Sequence, residues 1–350
     1  MRIASTGIAL PPHYYPQDVL IAAFRQHWGD KLERFGLLER LHTASQVDGR
    51  YLSLPIEAYP DLKRWGDANN VWRETSEHLG QQAICKALNS AGIERTEVAA
   101  LYFVSITGVS SPSVDARLVN RMQLNRNIKR IPIFGLGCVA GAAGLARAAD
   151  YVKSFPDQIA VLLSVELCSL TLQQDDFSVA NLISAGLFGD GAAAVVVAGA
   201  HRASEDWPEI VATRSVFYPD TEYVMGWDIS EKGFRIVLSR DVPDVVEKNL
   251  CGDVDAFLAD YGLRRQDIGS WVIHTGGPRV LEAATAALEL PDGALQTSWD
   301  CLRRTGNLSS ASVLFVLDET MKNRRPPQGT WGLLAAMGPG FCSELLLLRW

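Results

Sequence analysis

Apolar residues recur along this chain in two alternating patterns. Ala99 to Ile106, Ile131 to Phe134, Ile159 to Val165 and Ala192 to Val197 are nearly continuous apolar runs, read as strands. Glu74 to Ala91, Val114 to Leu124 and Ala140 to Val152 have helical spacing, and Ala91-Gly92 supplies a stop for the first. Buried strands interleaved with helices predict a parallel or mixed sheet covered on both faces. His201 to Pro208 is polar and reads as a connection. The order then returns more loosely. Val242 to Tyr261, Val280 to Leu288 and Ser310 to Met321 read as helices, and Trp271 to Ile273, Trp331 to Met337 and Glu344 to Leu348 as strands. Asn323 to Gly329 reads as a basic loop. The likeness between the halves is one of pattern alone.

Composition narrows the classes. The chain has 350 residues, 47% hydrophobic and 21% charged, enough for a large core. Its formal net charge is -7, and no basic patch suggests nucleic acid. The six cysteines show neither a CxxC nor metal-ligand spacing, which predicts reduced thiols, no metal site and a cytoplasmic protein. The start lacks a signal-peptide core, and no apolar run of about 18 residues would span a membrane.

Three glycine-containing junctions carry candidate chemistry. Cys138 lies in Phe134-Gly135-Leu136-Gly137-Cys138-Val139-Ala140-Gly141, between a strand and a helix of small residues. Orphan N–H groups and the helix dipole there favour a thiolate, which is a nucleophile. The plain alternative is a structural core cysteine. His274 ends a short strand in His274-Thr275-Gly276-Gly277-Pro278, and Asn307 follows Gly306 in Gly306-Asn307-Leu308-Ser309-Ser310-Ala311. Singly, these read as a structural histidine and a turn asparagine. Together the three supply a nucleophile, a proton partner and an amide donor for an oxyanion.

With these motifs the chain resembles the type III polyketide synthases, the chalcone synthase-like enzymes. Leu187-Phe188-Gly189-Asp190-Gly191 and Gly338-Pro339-Gly340 match further hallmarks, and the resemblance runs from about Met1 to Trp350. It implies an α/β thiolase-like fold of two pseudo-repeated halves in α/β/α/β/α layers. Residues 1–208 would carry the cysteine, and residues 209–350 the histidine and asparagine. It also implies a homodimer that condenses acyl-CoA and malonyl-CoA with no cofactor beyond these thioester substrates. Cys138 would carry the acyl group while His274 and Asn307 stabilise the malonyl-derived enolate.

The resemblance assigns further residues. Phe188 matches one aromatic gatekeeper, whereas the second falls on Ile236. Cys168 stands where plant members carry Thr, and Ser111 where they carry Met. Small residues at Thr107, Ser111 and Cys168 would open a tunnel for a long acyl chain, at about 0.8 kcal/mol per buried methylene. Glu166 and Ser309 match two members of a hydroxyl network, while its Thr falls on Ile106, next to Thr107. A missing hydroxyl favours lactone closure. Arg34, Arg40 and Arg279 are the candidates for the coenzyme A phosphates. The leading expectation is an alkylpyrone or alkylresorcinol synthase using fatty acyl-CoA. The alternatives are a tetrahydroxynaphthalene synthase using malonyl-CoA alone, a ketoacyl synthase III, or a non-catalytic binding protein on the same fold.

Overall fold

The computed structural model describes residues 1–29, 31–32 and 35–350. Arg34 therefore lies outside the described residues. The chain opens with strand β1 (Arg2–Ala9), the short pair β2 (His13–Pro16) and β3 (Gly49–Leu52), and helices α1 (Gln17–Trp28) and α2 (Phe35–Ala44) between them. Helix α3 (Trp65–Ala91) begins nine residues before the predicted Glu74, since residues 65–73 mix glycine and polar side chains. Its buried stripe, Trp72, Ser76, Leu79, Ala83 and Ala87, recurs at three- and four-residue steps. It ends at Gly92, whose φ of +66° is a left-handed cap.

Next come β4 (Val98–Val104), α4 (Val114–Met122), β5 (Lys129–Ile133), α5 (Ala140–Ser154), β6 (Ile159–Leu167), α6 (Val179–Leu187) and β7 (Asp190–Ala198). The remainder is β8 (Glu209–Phe217), the hairpin β9 (Met225–Ser230) and β10 (Gly233–Leu238), α7 (Val242–Ala259), β11 (Ile268–Ile273), α8 (Pro278–Ala287), α9 (Gln296–Thr305), α10 (Ser312–Asn323), β12 (Trp331–Gly338) and β13 (Cys342–Arg349).

Nine strands form one sheet in the order β11-β12-β13-β8-β1-β7-β6-β4-β5. Outward from β1 the pairings are antiparallel to β7, antiparallel to β6, then parallel to β4 and β5. Outward from β8 they are antiparallel to β13, antiparallel to β12, then parallel to β11. Four strands of each run thus share one order and one set of senses, and β5 is an addition to the first run. The two runs meet at one register pair, Arg2 with Glu209. Every residue of β6 and β7 is buried, as continuous apolar strands require. Strand β5 is one edge of the sheet; three of its five residues are exposed and none is buried, so its short apolar run faces solvent in part.

Helices set the layers. α5 and α10 pack on each other and touch strands of both runs, so they form the central layer. α3 and α4 cover the β1–β7 side, and α7, α8 and α9 the β11–β13 side. This gives the expected α/β/α/β/α order. Position explains why α5 is so rich in alanine and glycine: ten of its fifteen residues are buried. At Gly141 a Cβ would lie 2.1 Å from the Ser310 carbonyl oxygen and 2.9 Å from Val313 Cγ1. Gly141 therefore lets α5 touch the turn before α10. Gly141→Ala is expected to lower stability by about 1–3 kcal/mol through overpacking. An unaltered thermal transition would show that this contact tolerates a methyl group.

Candidate active site

Cys138 lies in a 3-10 turn, Gly137–Val139, leading into α5. Gly137 has φ +54°, and a Cβ there would meet Pro339 Cδ at 2.7 Å. Only glycine suits that combination of backbone and space. Cys138 is 5% exposed and opens on a cavity of about 480 Å³. Its Sγ donates to Ser309 Oγ at 3.7 Å. Ser309 belongs to a second 3-10 turn, Ser309–Ala311, and holds φ +48°, which costs a side-chain-bearing residue about 1–2 kcal/mol. That turn is the one α5 reaches through Gly141.

Asn307 precedes this turn. Its Oδ1 accepts from Ser309 N at 2.8 Å and from Ser312 Oγ at 3.1 Å. Two donors on Oδ1 fix the amide so that Nδ2 faces away, where it donates to Gly276 O at 3.3 Å. Its backbone bridges Phe188, with N–H groups of Asn307 and Gly189 donating to Leu187 O and Asn307 O. His274 extends β11 by donating its backbone N–H to Ala335 O. Its ring Nδ1 is buried without a partner among the described residues. Ser309 thus joins Cys138 to Asn307. His274 and Asn307 line a smaller adjoining cavity, and Met225 lines both.

Burial dominates the electrostatics. Desolvation pushes the Cys138 thiol up to about 12, against the lowering effect of Ser309 and with Glu166 adding to the rise. This outweighs the helix-terminus effect expected from the sequence. Burial also lowers the His274 imidazole to about 4, so it is neutral at pH 7 and a weaker base than a solvated imidazole.

The large cavity takes its walls from α1, the end of α6, and the β9–β10 hairpin, through Met225, Trp227, Ile236 and Leu238. The hairpin lies outside the main sheet. Trp65, Phe134 and Trp227 pack around Phe234 and hold it, and Gln173 Nε2 donates to Lys232 O and Phe234 O. Phe188, Cys168, Ile236 and Ser309 line the cavity alongside Cys138. Burial raises the Cys168 thiol well above its ordinary value.

Other sequence candidates fall elsewhere. Glu166 and Thr107 are buried and absent from the cavity lining; Ile106 lines it instead. Glu166 accepts from Ile106 N and Thr107 Oγ1, both at 3.0 Å, and from Ser310 Oγ. The serine joined to Glu166 is therefore Ser310, while Ser309 turns to Cys138. Burial lifts the Glu166 carboxyl to about 7. Ser111 is exposed in the Ser110-Ser111-Pro112 loop after β4, outside the cavity lining, because that turn-forming run carries it to the surface. Arg40 on α2 is exposed, and Arg279 at the start of α8 is 86% exposed beside Glu282. Neither lines the cavity. Sequence reasoning missed Arg50, which does. Its signal was a charged residue inside the short strand Gly49–Leu52.

Among the described residues no cluster of His, Cys, Asp and Glu could hold a metal, and no helix is long and apolar enough to cross a membrane. Residues 2–201 match the chalcone and stilbene synthases' N-terminal domain, and residues 209–350 match their C-terminal domain. A 1,3,6,8-tetrahydroxynaphthalene synthase of Streptomyces peucetius subsp. caesius is 52% identical, over 99% of this chain and 93% of that protein. A 3,5-dihydroxyphenylacetyl-CoA synthase of Streptomyces toyocaensis is 30% identical, over 99% and 93%. The crystal structure of 1,3,6,8-tetrahydroxynaphthalene synthase from Streptomyces coelicolor A3(2), a bacterial type III polyketide synthase, superposes with a TM-score of 0.95 at 30% identity, covering 100% of this chain and 99% of that one. With its cysteine, histidine and asparagine junctions on that fold, the chain belongs to the chalcone and stilbene synthase family: it is a type III polyketide synthase, an acyltransferase-type enzyme.

Proposed function

We propose that this enzyme uses malonyl-CoA both to prime and to extend its chain and forms a tetrahydroxynaphthalene-type product. The observation that carries this reading is the 52% identity, across 99% of the chain, to a protein of that name. It favours this reading over the fatty-acyl one, whose tunnel rested on Thr107, Ser111 and Cys168. Of these three, Cys168 lines the cavity, whereas Ser111 is exposed on a loop and Thr107 is absent from the lining. On this reading residues 1–208 carry the nucleophile and residues 209–350 the two donors.

Cys138 attacks the starter thioester. Its Sγ–C bond forms as the bond from carbon to the coenzyme A sulfur breaks. The thiol proton passes to His274 and from there to the departing coenzyme A thiolate. The extender malonyl group then loses carbon dioxide, and the electrons of the broken C–C bond become an enolate. His274 and Asn307 donate hydrogen bonds to its oxygen. The locked Oδ1 of Asn307 keeps Nδ2 available for that work. The enolate carbon attacks the acyl group on Cys138, and the Cys138 thiolate leaves, ready for another cycle. Phe188, Cys168 and Ile236 shape the space in which the chain grows. Thr107 and Glu166 support the wall behind Ile106. Arg40 and Arg279, both exposed, serve the coenzyme A phosphates. The active form is a homodimer: Val109 and Phe134, exposed beyond the ends of neighbouring strands β4 and β5, offer apolar surface for it.

Malonyl-CoA alone is expected to yield a naphthol product by mass spectrometry. Product formed only when a fatty acyl-CoA is added would restore the alkylpyrone reading.

His274→Ala tests the proton transfer. With the thiol near 12 and the imidazole near 4, proton transfer between them is uphill at rest and has to accompany attack on an electrophile. Iodoacetamide alkylation of Cys138 at pH 7 is expected to slow at least about 100-fold in this variant, and to recover as pH rises towards the thiol's own value. An unchanged rate at pH 7 means that His274 does not take the proton.

Asn307→Ala should slow malonyl-CoA decarboxylation by about 10²-fold, the usual loss for one oxyanion donor. Decarboxylation at the parent rate would reduce Asn307 to a turn residue.

A further inference from the structure

Arg50 is 3% exposed, on β3, and lines the same cavity as Cys138. Its Nη1 donates to Phe188 O at 2.8 Å, the single side-chain hydrogen bond of Arg50 among the described residues. Its Nε is buried with no acceptor. A guanidinium carries five N–H donors, and leaving them unmet in the interior is costly. The buried carboxylate in its field is Asp190. Asp190, however, is occupied: it accepts from the backbone N–H and the hydroxyl of both Ser53 and Ser169. Those four donors leave Arg50 balanced in charge at a distance but unmatched in hydrogen bonds. Glu57 and His27 are the other titratable side chains around the cavity besides the cysteines and Tyr59, and Glu57 is exposed to solvent. Cys168 lies within the electrostatic reach of Arg50, and Cys138 within that of Cys168. A cationic side chain with one hydrogen bond among the described residues therefore lines the cavity on which Cys138 opens.

We propose that Arg50 is a carboxylate subsite: its fork receives the free carboxylate of a dicarboxylic acyl-CoA starter, malonyl-CoA above all, and orients the thioester for transfer to Cys138. This rests on the malonyl-priming reading and supplies its selectivity. A carboxylate matches a guanidinium in charge and in paired geometry. A monocarboxylic acyl chain offers the fork no acceptor, so the buried donors stay unmet and the starter is disfavoured. The site serves the starter rather than the extender. Holding a carboxylate as a carboxylate opposes its loss as carbon dioxide, which the extender must undergo.

The test is single-turnover acylation of Cys138 by malonyl-CoA and by butyryl-CoA. Butyryl is a near-isostere without the charge. Adducts are read by mass spectrometry, with malonyl and acetyl forms summed. The parent is expected to favour malonyl by about 30-fold, the value of one charge-assisted hydrogen bond to a buried group. In Arg50→Met that preference should vanish, and in Arg50→Lys, which keeps charge but not the fork, it should fall part of the way. If Arg50 merely holds the Phe188 carbonyl, both thioesters slow alike and the ratio stays put, which overturns the proposal. Should Arg50→Met fail to fold, the parent and Arg50→Lys decide: a parent without preference for malonyl sinks the subsite. A parent that loads malonyl selectively yet makes nothing from malonyl-CoA alone retains the subsite and loses the malonyl-only function.

Discussion

Everything at this site depends on one close approach of two backbones. Helix α5 and the 3-10 turn ahead of α10 come together where Gly141 faces the Ser310 carbonyl, with no room for a side chain between them. These are the start of the central helix of one strand run and the start of the central helix of the other. The approach brings the Cys138 turn against Ser309 and, through Ser309, to Asn307. Cys138 and Asn307, from distant parts of the chain, thereby share one serine. The left-handed backbone of Ser309 is the strain that this meeting imposes.

The surroundings are apolar, and this determines the chemistry more than any local charge does. Burial favours a neutral thiol and a neutral imidazole. An ionised sulfur is then costly until a proton acceptor or an electrophile is presented. On the proposed function, such a site would hold Cys138 as a thiol until a thioester arrives. Polar groups that remain near the cavity are held in place. Asp190 is bound by two serines, Glu166 by Thr107 and Ser310, and Asn307 by Ser309 and Ser312.

The sequence made the strands β4, β6 and β7 and the helices α3, α5 and α10 legible, because each is long, apolar and periodic. It made the three junctions legible because glycine marks backbone that other residues avoid. It concealed β1, whose alternation is blurred by Ser5, Thr6 and Gly7, and the β9–β10 hairpin, whose mixed polar residues follow no single period. Ser111 lies on an exposed loop of this chain, and the sequence pattern did not show which way that loop faces. Ser309 and Ser310 are neighbours of one type in one motif, and only the fold separates their partners. Arg50 was hidden for another reason. A single charge on a short strand is normally solvated, and its burial depends on elements far away in the chain.

The strand order also bears on how the molecule is assembled. β1 precedes every other strand among the described residues, yet its ladder partner β7 lies at Asp190–Ala198, and the strand on its other side is β8. The central seam of the sheet therefore joins the beginning of the chain to its middle, at large sequence separation. Contacts of that kind form late, since loop closure has to come before any reward from pairing. During synthesis β1 must wait, with both edges unsatisfied, for well over half the chain to appear. A strand carrying Ser5, Thr6 and Gly7 at its centre is less suited to pairing with a stranger meanwhile than a continuous apolar one. The same residues that blurred β1 in the sequence keep it safe until its partners arrive.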